Sequence, residues 1–308
     1  MRLALATVAA FMAACASAPG FPAGEPAPLT VTGEVVRHAG VASREDILPR
    51  HVDVWLPPSY RTSSERYPVV YVQDGNVIFD PALSTVSGVE WGMDETMTRL
   101  VGEDRVREAI VVGIHSTRER YEDYMPEAAI RPLDEDMRRR LAKRPRPFDI
   151  ERMHGDTYQR FVADELKPAI DRIYRTRPGR EDTFVLGAST GGLAAVYAAI
   201  SRPDIYGAAA GMSSHMGSAE GAVVDWIEAN PPDPARTRLY LDYGDQGVDA
   251  EWEYPAYHAR LDAALKTAGY ADGERYVNRL YPGTGHGESF WAARLEQPLV
   301  FLLGRDDE

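Results

Sequence analysis

Residues 181–200 read EDTFVLGASTGGLAAVYAAI, and this stretch constrains the fold more than any other. A short apolar run at 183–186 has the character of a buried strand. It is followed by Gly187, Ala188, Ser189, Thr190 and Gly191, a G-x-S-x-G, and then by Leu193, Ala194, Ala195, Val196, Ala198 and Ala199. Small residues at these spacings predict a helix that can lie close against a sheet. Strand, tight turn and helix form the setting of a nucleophile elbow, in which a serine hydroxyl stands exposed at the tip of a sharp turn. Glycines flank the turn because Cβ atoms there would collide. The same geometry turns the Thr190 amide toward any oxyanion that forms at the serine.

A serine needs a base within hydrogen-bond reach to act as a nucleophile. On sheets that carry such an elbow, the chain order is serine, acid, histidine. Three histidines follow Ser189. His215 comes too soon for an acid loop to precede it, and His258 falls inside an amphipathic helical pattern. His286 lies in the glycine-rich run YPGTGHGE after the last strand signal, on a loop that the scaffold can aim at the serine. Glu288 is placed to hold that loop through a backbone contact. The acid is expected after the preceding strand, in GDQGVDAEWE, where Asp245, Asp249 and Glu251 are the candidates. Asp249 is the choice and Asp245 the alternative; the other of the two is expected to serve the turn. A second oxyanion donor is expected from the loop after the run 67–73, where Asp74-Gly75-Asn76 offers the Asn76 amide.

Around this stretch, apolar runs and helical patterns alternate. Strands are predicted at 31–36, 51–56, 67–73, 109–114, 183–186, 206–212, 239–243 and 276–281. Helices are predicted at 93–101, 156–174, 192–200, 222–228, 257–268 and 289–303. Such alternation predicts an α/β fold with a mostly parallel central sheet and helices on both faces. The catalytic domain would span 30–308 with no internal repeat. Residues 116–155 break the pattern: they are long, polar and carry RRRLAKRPRP at 138–147, which reads as an insertion whose basic run either attracts anions or is a solvated helix face.

The chain has 308 residues and a net charge of −13, which argues against nucleic acid as a partner. Its beginning differs from the rest. A basic start and an apolar segment at 3–14 resemble an export signal, and Met12-Ala13-Ala14-Cys15 resembles a bacterial lipobox, with cleavage before the cysteine and lipidation of its thiol. Cleavage after Ala16 or Ala18, giving plain secretion, is the alternative. Cys15 is the single cysteine, so no intrachain disulfide forms. Residues 1–15 are therefore read as a signal peptide and 16–29, rich in Pro, Ala and Gly, as a flexible tether. The protein is placed in the bacterial envelope, touching the membrane only through its lipid.

With these residues in order, the chain resembles the esterase-D or putative esterase family, which includes enterochelin-esterase-like, feruloyl-esterase-like and antigen 85-like proteins. The matching stretches are VWLPPSY at 54–60, YPVVY at 67–71 with Asp74-Gly75-Asn76, VVGI at 111–114, Arg120 with Tyr124 and Pro126, ELKP at 165–168, the elbow at Ser189, and Gly285-His286 with Glu288 and Trp291. The resemblance implies an α/β-hydrolase fold, a Ser-acid-His triad, no metal or other cofactor, and the amide after Asp-Gly as an oxyanion donor. Gln73 stands where many members have histidine.

The expected activity is hydrolysis of a small-molecule or glycan-linked carboxylic ester by Ser189, Asp249 and His286, with Asn76 and Thr190 forming the oxyanion hole. Trp91, Tyr124, Trp252 and Trp291 are read as the walls of an aromatic acyl or alcohol pocket. An acyltransferase of the same fold and a non-catalytic ligand-binding lipoprotein are the alternatives.

Overall fold

The runs 67–73 and 109–114 become neighbouring strands at the centre of the sheet, buried on both sides. The computed structural model describes residues 21–28, 30–84, 88–144, 148–247 and 254–305. Nine strands are found among them: β1 Gly24–Pro26, β2 Glu34–Val41, β3 Arg50–Leu56, β4 Val69–Gln73, β5 Ile110–Ile114, β6 Thr183–Ala188, β7 Ala208–Met212, β8 Arg238–Gly244 and β9 Tyr276–Tyr281. They form one sheet in the order β1-β2-β3-β5-β4-β6-β7-β8-β9. The first three are antiparallel to their neighbours, and from β5 to β9 all pairings are parallel. The chain has the α/β-hydrolase fold that the sequence predicts.

Side chains alternate across each strand, so the parallel strands feed two apolar layers. Val69, Tyr71 and Val112 face one, with Leu193 and Val196 of the helix Thr190–Ser201. Val70, Val72 and Val111 face the other, with Leu299 and Leu302 of the helix Glu296–Leu303. At roughly 25 cal/mol per Å² of apolar surface removed from water, these two layers are the main source of the fold's stability.

Three expectations change. The segment read as a tether contains β1: Gly24 pairs with His38 and Pro26 with Val36. An edge strand tolerates proline because one side needs no partner. A Cβ on Gly24 would lie 2.5 Å from Val36 Cγ1, so glycine permits the approach. The helix predicted at 156–174 is made of Gly155–Arg160, a π-helical stretch Phe161–Leu166 and Lys167–Ile173. Pro168 lacks the amide that a regular α-helix would use there.

The insertion at 116–155 is folded. It contributes helices Arg120–Tyr124, Glu127–Ile130 and Glu135–Ala142, and Met125, Ile130, Leu141, Phe148, Ile150 and Met153 form a small core with Ala219 and Ala222. The described part of its basic run, 138–144, lies on and just after the helix Glu135–Ala142 and meets acidic partners at the surface. Arg138 binds Glu151, Arg140 binds Asp136 and Glu220, and Arg144 binds Glu220.

Candidate active site

The loops that leave the carboxyl ends of β4, β6, β8 and β9 converge on Ser189. In parallel sheets this end is where sites form, because the loops there meet over a crevice. Ser189 sits between β6 and the helix Thr190–Ser201 with φ 57° and ψ −126°, a conformation that a non-glycine residue holds only under constraint. Its amide donates to Met212 O at 2.9 Å, and its carbonyl accepts from Leu193 at 3.1 Å and His215 at 3.0 Å. Neighbouring atoms leave no room for side chains on either flanking glycine. A Cβ on Gly187 would lie 2.3 Å from Gly191 O, and one on Gly191 would lie 2.8 Å from Asp74 Oδ2.

His286 Nε2 lies 3.0 Å from Ser189 Oγ. With the imidazole proton on Nδ1, Oγ–H donates to Nε2, the geometry a general base requires. The ring is bracketed by aromatics: Trp291 meets it at 4.9 Å and 81°, and Tyr254 at 5.5 Å and 67°. Tyr254 escaped sequence reading, since nothing in the local sequence sets it apart from other helix-face tyrosines.

The histidine loop is tied to the loop after β8. Asp245 Oδ1 accepts the Gly283 amide at 2.7 Å, and the Asp245 and Gln246 amides both donate to Thr284 O, at 3.1 and 3.0 Å. Asp245 is thus a loop-binding residue. Among the described residues Glu288 makes no side-chain hydrogen bond to that loop; it opens the short helix Glu288–Ala292. Asp249, Glu251 and Trp252 lie outside the described residues.

Thr190, 3% exposed, is the first residue of its helix, so its amide belongs to the unpaired helix N-terminus. Asn76 lies in the single turn Gly75–Val77 that follows β4. Its side-chain Oδ1 accepts from the Ser116 amide at 3.1 Å and Ser116 Oγ at 2.9 Å, which pins the turn to the end of β5. A Cβ on Gly75 would lie 2.3 Å from the Gly113 carbonyl carbon, which explains the glycine before Asn76.

Before it, Asp74 is left-handed at φ 59°. Arg120 Nε and Nη2 donate to Asp74 Oδ1 and Oδ2 at 2.6 and 2.7 Å, and Arg120 Nη1 donates to Thr190 Oγ1. Apart from its place in the resemblance, Arg120 carries no sequence signal, because arginines are frequent in that insertion.

Of the aromatics read as pocket walls, Trp91 and Tyr124 are buried in this structure. Tyr124 is 1% exposed and its hydroxyl accepts the Asp74 amide at 3.1 Å, so it supports the turn instead of facing substrate. Trp91 is 2% exposed and packs at 5.9 Å on Trp291, which in turn backs His286. Phe290 is the exposed aromatic of this loop, at 40%, with its ring 3.0 Å from where a Gly285 Cβ would be. Gln73, fully buried, accepts from the Tyr158 hydroxyl beneath the site.

A strained serine at the elbow, faced by a histidine from the loop after the last strand, defines the α/β-hydrolase class. The chain belongs to the putative esterase family, whose model matches residues 48–302, and it is a carboxylic-ester hydrolase. It is 22% identical over 259 residues to the uncharacterised protein YbbA of Bacillus subtilis, covering 83% of this chain and 94% of that one. It is 28% identical over 181 residues to the ferri-bacillibactin esterase BesA of the same organism, covering 58% of this chain and 56% of BesA. A ferulic acid esterase structure superimposes with a TM-score of 0.63 at 20% identity, covering 89% of this chain and 99% of the other.

Proposed function

We propose that the protein is a serine esterase in which Ser189, Asp249 and His286 form the triad and the Asn76 and Thr190 amides hold the oxyanion. The observation that carries this reading is the 3.0 Å approach of His286 Nε2 to Ser189 Oγ at a residue held at φ 57°. Ser189 Oγ attacks the ester carbonyl carbon while His286 Nε2 takes its proton. The carbonyl oxygen becomes an oxyanion between the two amides. As the tetrahedral intermediate collapses, His286 returns the proton to the leaving alcohol, and the acyl group stays on Ser189. Water then attacks with His286 again as base, releasing the acid.

Asp249 is assigned to orient the imidazole by accepting from Nδ1. Asp245, whose Oδ1 accepts the Gly283 amide, is the alternative acid and is assigned here to the loop. The proposed substrates are small-molecule carboxylic esters. Among the relatives, BesA is a ferri-bacillibactin esterase and one structural neighbour a ferulic acid esterase, so siderophore lactones and aryl-acyl esters head the panel to assay.

Export is proposed from residues 1–15, with lipidation at Cys15; these residues lie outside the described ones. Wild type should sediment with membranes and Cys15→Ser should be soluble or remain unprocessed, whereas a mature unlipidated N-terminus at Ser17 or Pro19 would mean plain secretion. Ser189→Ala tests the catalytic reading: hydrolysis of nitrophenyl acetate should vanish with the melting temperature unchanged, and an active alanine variant contradicts it.

A further inference from the structure

We infer that Arg120 is a positioning residue that locks the two limbs of the oxyanion hole to each other; the inference rests on Asn76 and Thr190 being its donors. The two amides come from loops far apart in the chain, after β4 and after β6. One guanidinium joins them. Its Nε and Nη2 grip both oxygens of Asp74, two residues before Asn76, and its Nη1 reaches Thr190 Oγ1. The carboxylate it grips is wedged against the elbow, since Asp74 Oδ2 would lie 2.8 Å from a Gly191 Cβ. Tyr124 completes the fixture: its hydroxyl accepts the Asp74 amide at 3.1 Å, and the Arg120 guanidinium lies 5.1 Å from its ring centroid.

Each part of this fixture has a geometric reason. Asp74 holds a left-handed conformation at φ 59° that its surroundings must enforce. A planar fork can bind two carboxylate oxygens in parallel and still offer a third donor elsewhere, whereas an ammonium is a point charge on a flexible stem. Oxyanion stabilisation depends on donors already aimed at the oxyanion before charge develops. Fixing the spacing of the 74–76 turn and Thr190 therefore acts on the transition state more than on bound substrate. Arg120 belongs to the first helix of the folded insertion, so the 116–155 segment reaches the chemistry through this contact.

Arg120→Lys keeps the charge and removes the fork. The expected result is a kcat for nitrophenyl acetate lower by roughly 10- to 100-fold with KM within about twofold, a fraction of the loss seen when a whole oxyanion donor is removed. Binding of phenylboronic acid, whose tetrahedral adduct on Ser189 places an oxygen in the hole, should weaken by a similar factor. A purely structural role predicts a lower melting temperature with kcat per folded molecule unchanged, and that result overturns the inference.

Thr190→Val tests the other end of the contact, keeping the amide and removing the hydroxyl that Arg120 binds. It should lower kcat several-fold and weaken boronate binding in parallel. Full activity of this variant also overturns the inference, including where Arg120→Lys fails to fold. If Ser189→Ala retains hydrolysis, the catalytic reading itself fails. If Ser189→Ala is dead while the Arg120 and Thr190 variants keep full kcat, only the positioning role fails.

Discussion

The Asp245 carboxylate accepts the Gly283 amide at 2.7 Å and so fastens the loop after β8 to the loop that carries His286. The bond spans 38 residues of sequence and ties the two loops together at the edge of the site.

With Asp249 proposed to orient the imidazole and Asp245 to hold the loop, the two acids should respond differently to substitution. Asp249→Asn should lower kcat by about four orders of magnitude, the loss found when a triad acid is replaced by its amide. Asp245→Ala should lower stability by roughly 1–3 kcal/mol, the cost of a lost charge-assisted hydrogen bond, and should lower kcat only modestly. Steady-state kinetics and thermal melts on both variants decide it, and an inactive Asp245 variant beside an active Asp249 variant exchanges the roles.

Trp291 tests how firmly the histidine is backed. Its ring lies 4.9 Å from His286 and 5.9 Å from Trp91, and it is 6% exposed. Trp291→Ala should cost about 3–5 kcal/mol by leaving a cavity, and it should lower kcat because the imidazole loses one wall. Trp291→Phe should recover most of both. A Trp291→Ala variant with wild-type melting and turnover contradicts this packing role.

Behind the elbow, Arg294 and Asp242 form a buried ion pair at 3.0 Å, with side chains 5% and 0% exposed. Asp242 Oδ1 also accepts the Ser213 amide at 3.0 Å, and Tyr240 donates to Oδ2 at 3.0 Å. Arg294→Met should cost about 3–5 kcal/mol, because it strands a buried carboxylate. The double variant Arg294→Met with Asp242→Asn should be more stable than the single one. Additive losses contradict the pairing.

A carboxylate group beside Trp91 gives a pH signature. Burial, then the charges of Glu95, Asp94 and Asp80, pushes Glu90 up to about 7, and burial pushes Asp94 up to about 7. An unfolded carboxyl titrates near 4, so between about pH 4 and 7 the folded protein holds protons that the unfolded chain has lost. Stability contributed by these groups therefore falls as pH rises through that window. The melting temperature should be a few degrees lower at pH 8 than the other groups alone would set, since for a chain of this size each kcal/mol moves it by about 2–4 °C. Asp94→Asn should flatten the profile and raise melting at pH 8; an unchanged profile contradicts the assignment.

Much of this was legible in the sequence because the constraints are local. The elbow is written in Gly187 and Gly191, whose absent Cβ atoms the turn demands, and the buried strands show as unbroken apolar runs. His286 could be placed because a glycine-rich loop after the last strand meets a serine at the end of β6. What escaped depends on distant pairings. The Arg120 clamp joins residues 46 and 70 positions apart, and no local pattern announces either contact. β1 hid behind prolines and glycines that fit an edge strand as well as a tether. The insertion's core is a thin stripe of Met125, Ile130, Leu141 and Phe148 under a polar exterior. Exposure misled most at the aromatics, since composition does not say that Trp91 and Tyr124 are buried.

If Ser189 is the activated nucleophile, covalent labelling reads it directly. Native protein treated with a fluorophosphonate probe and digested should carry the phosphonyl group on the peptide containing Ser189. His286→Ala should slow labelling by several orders of magnitude, as loss of the base does in related triads. Modification at another residue, or undiminished labelling of the Ser189→Ala variant, would contradict it.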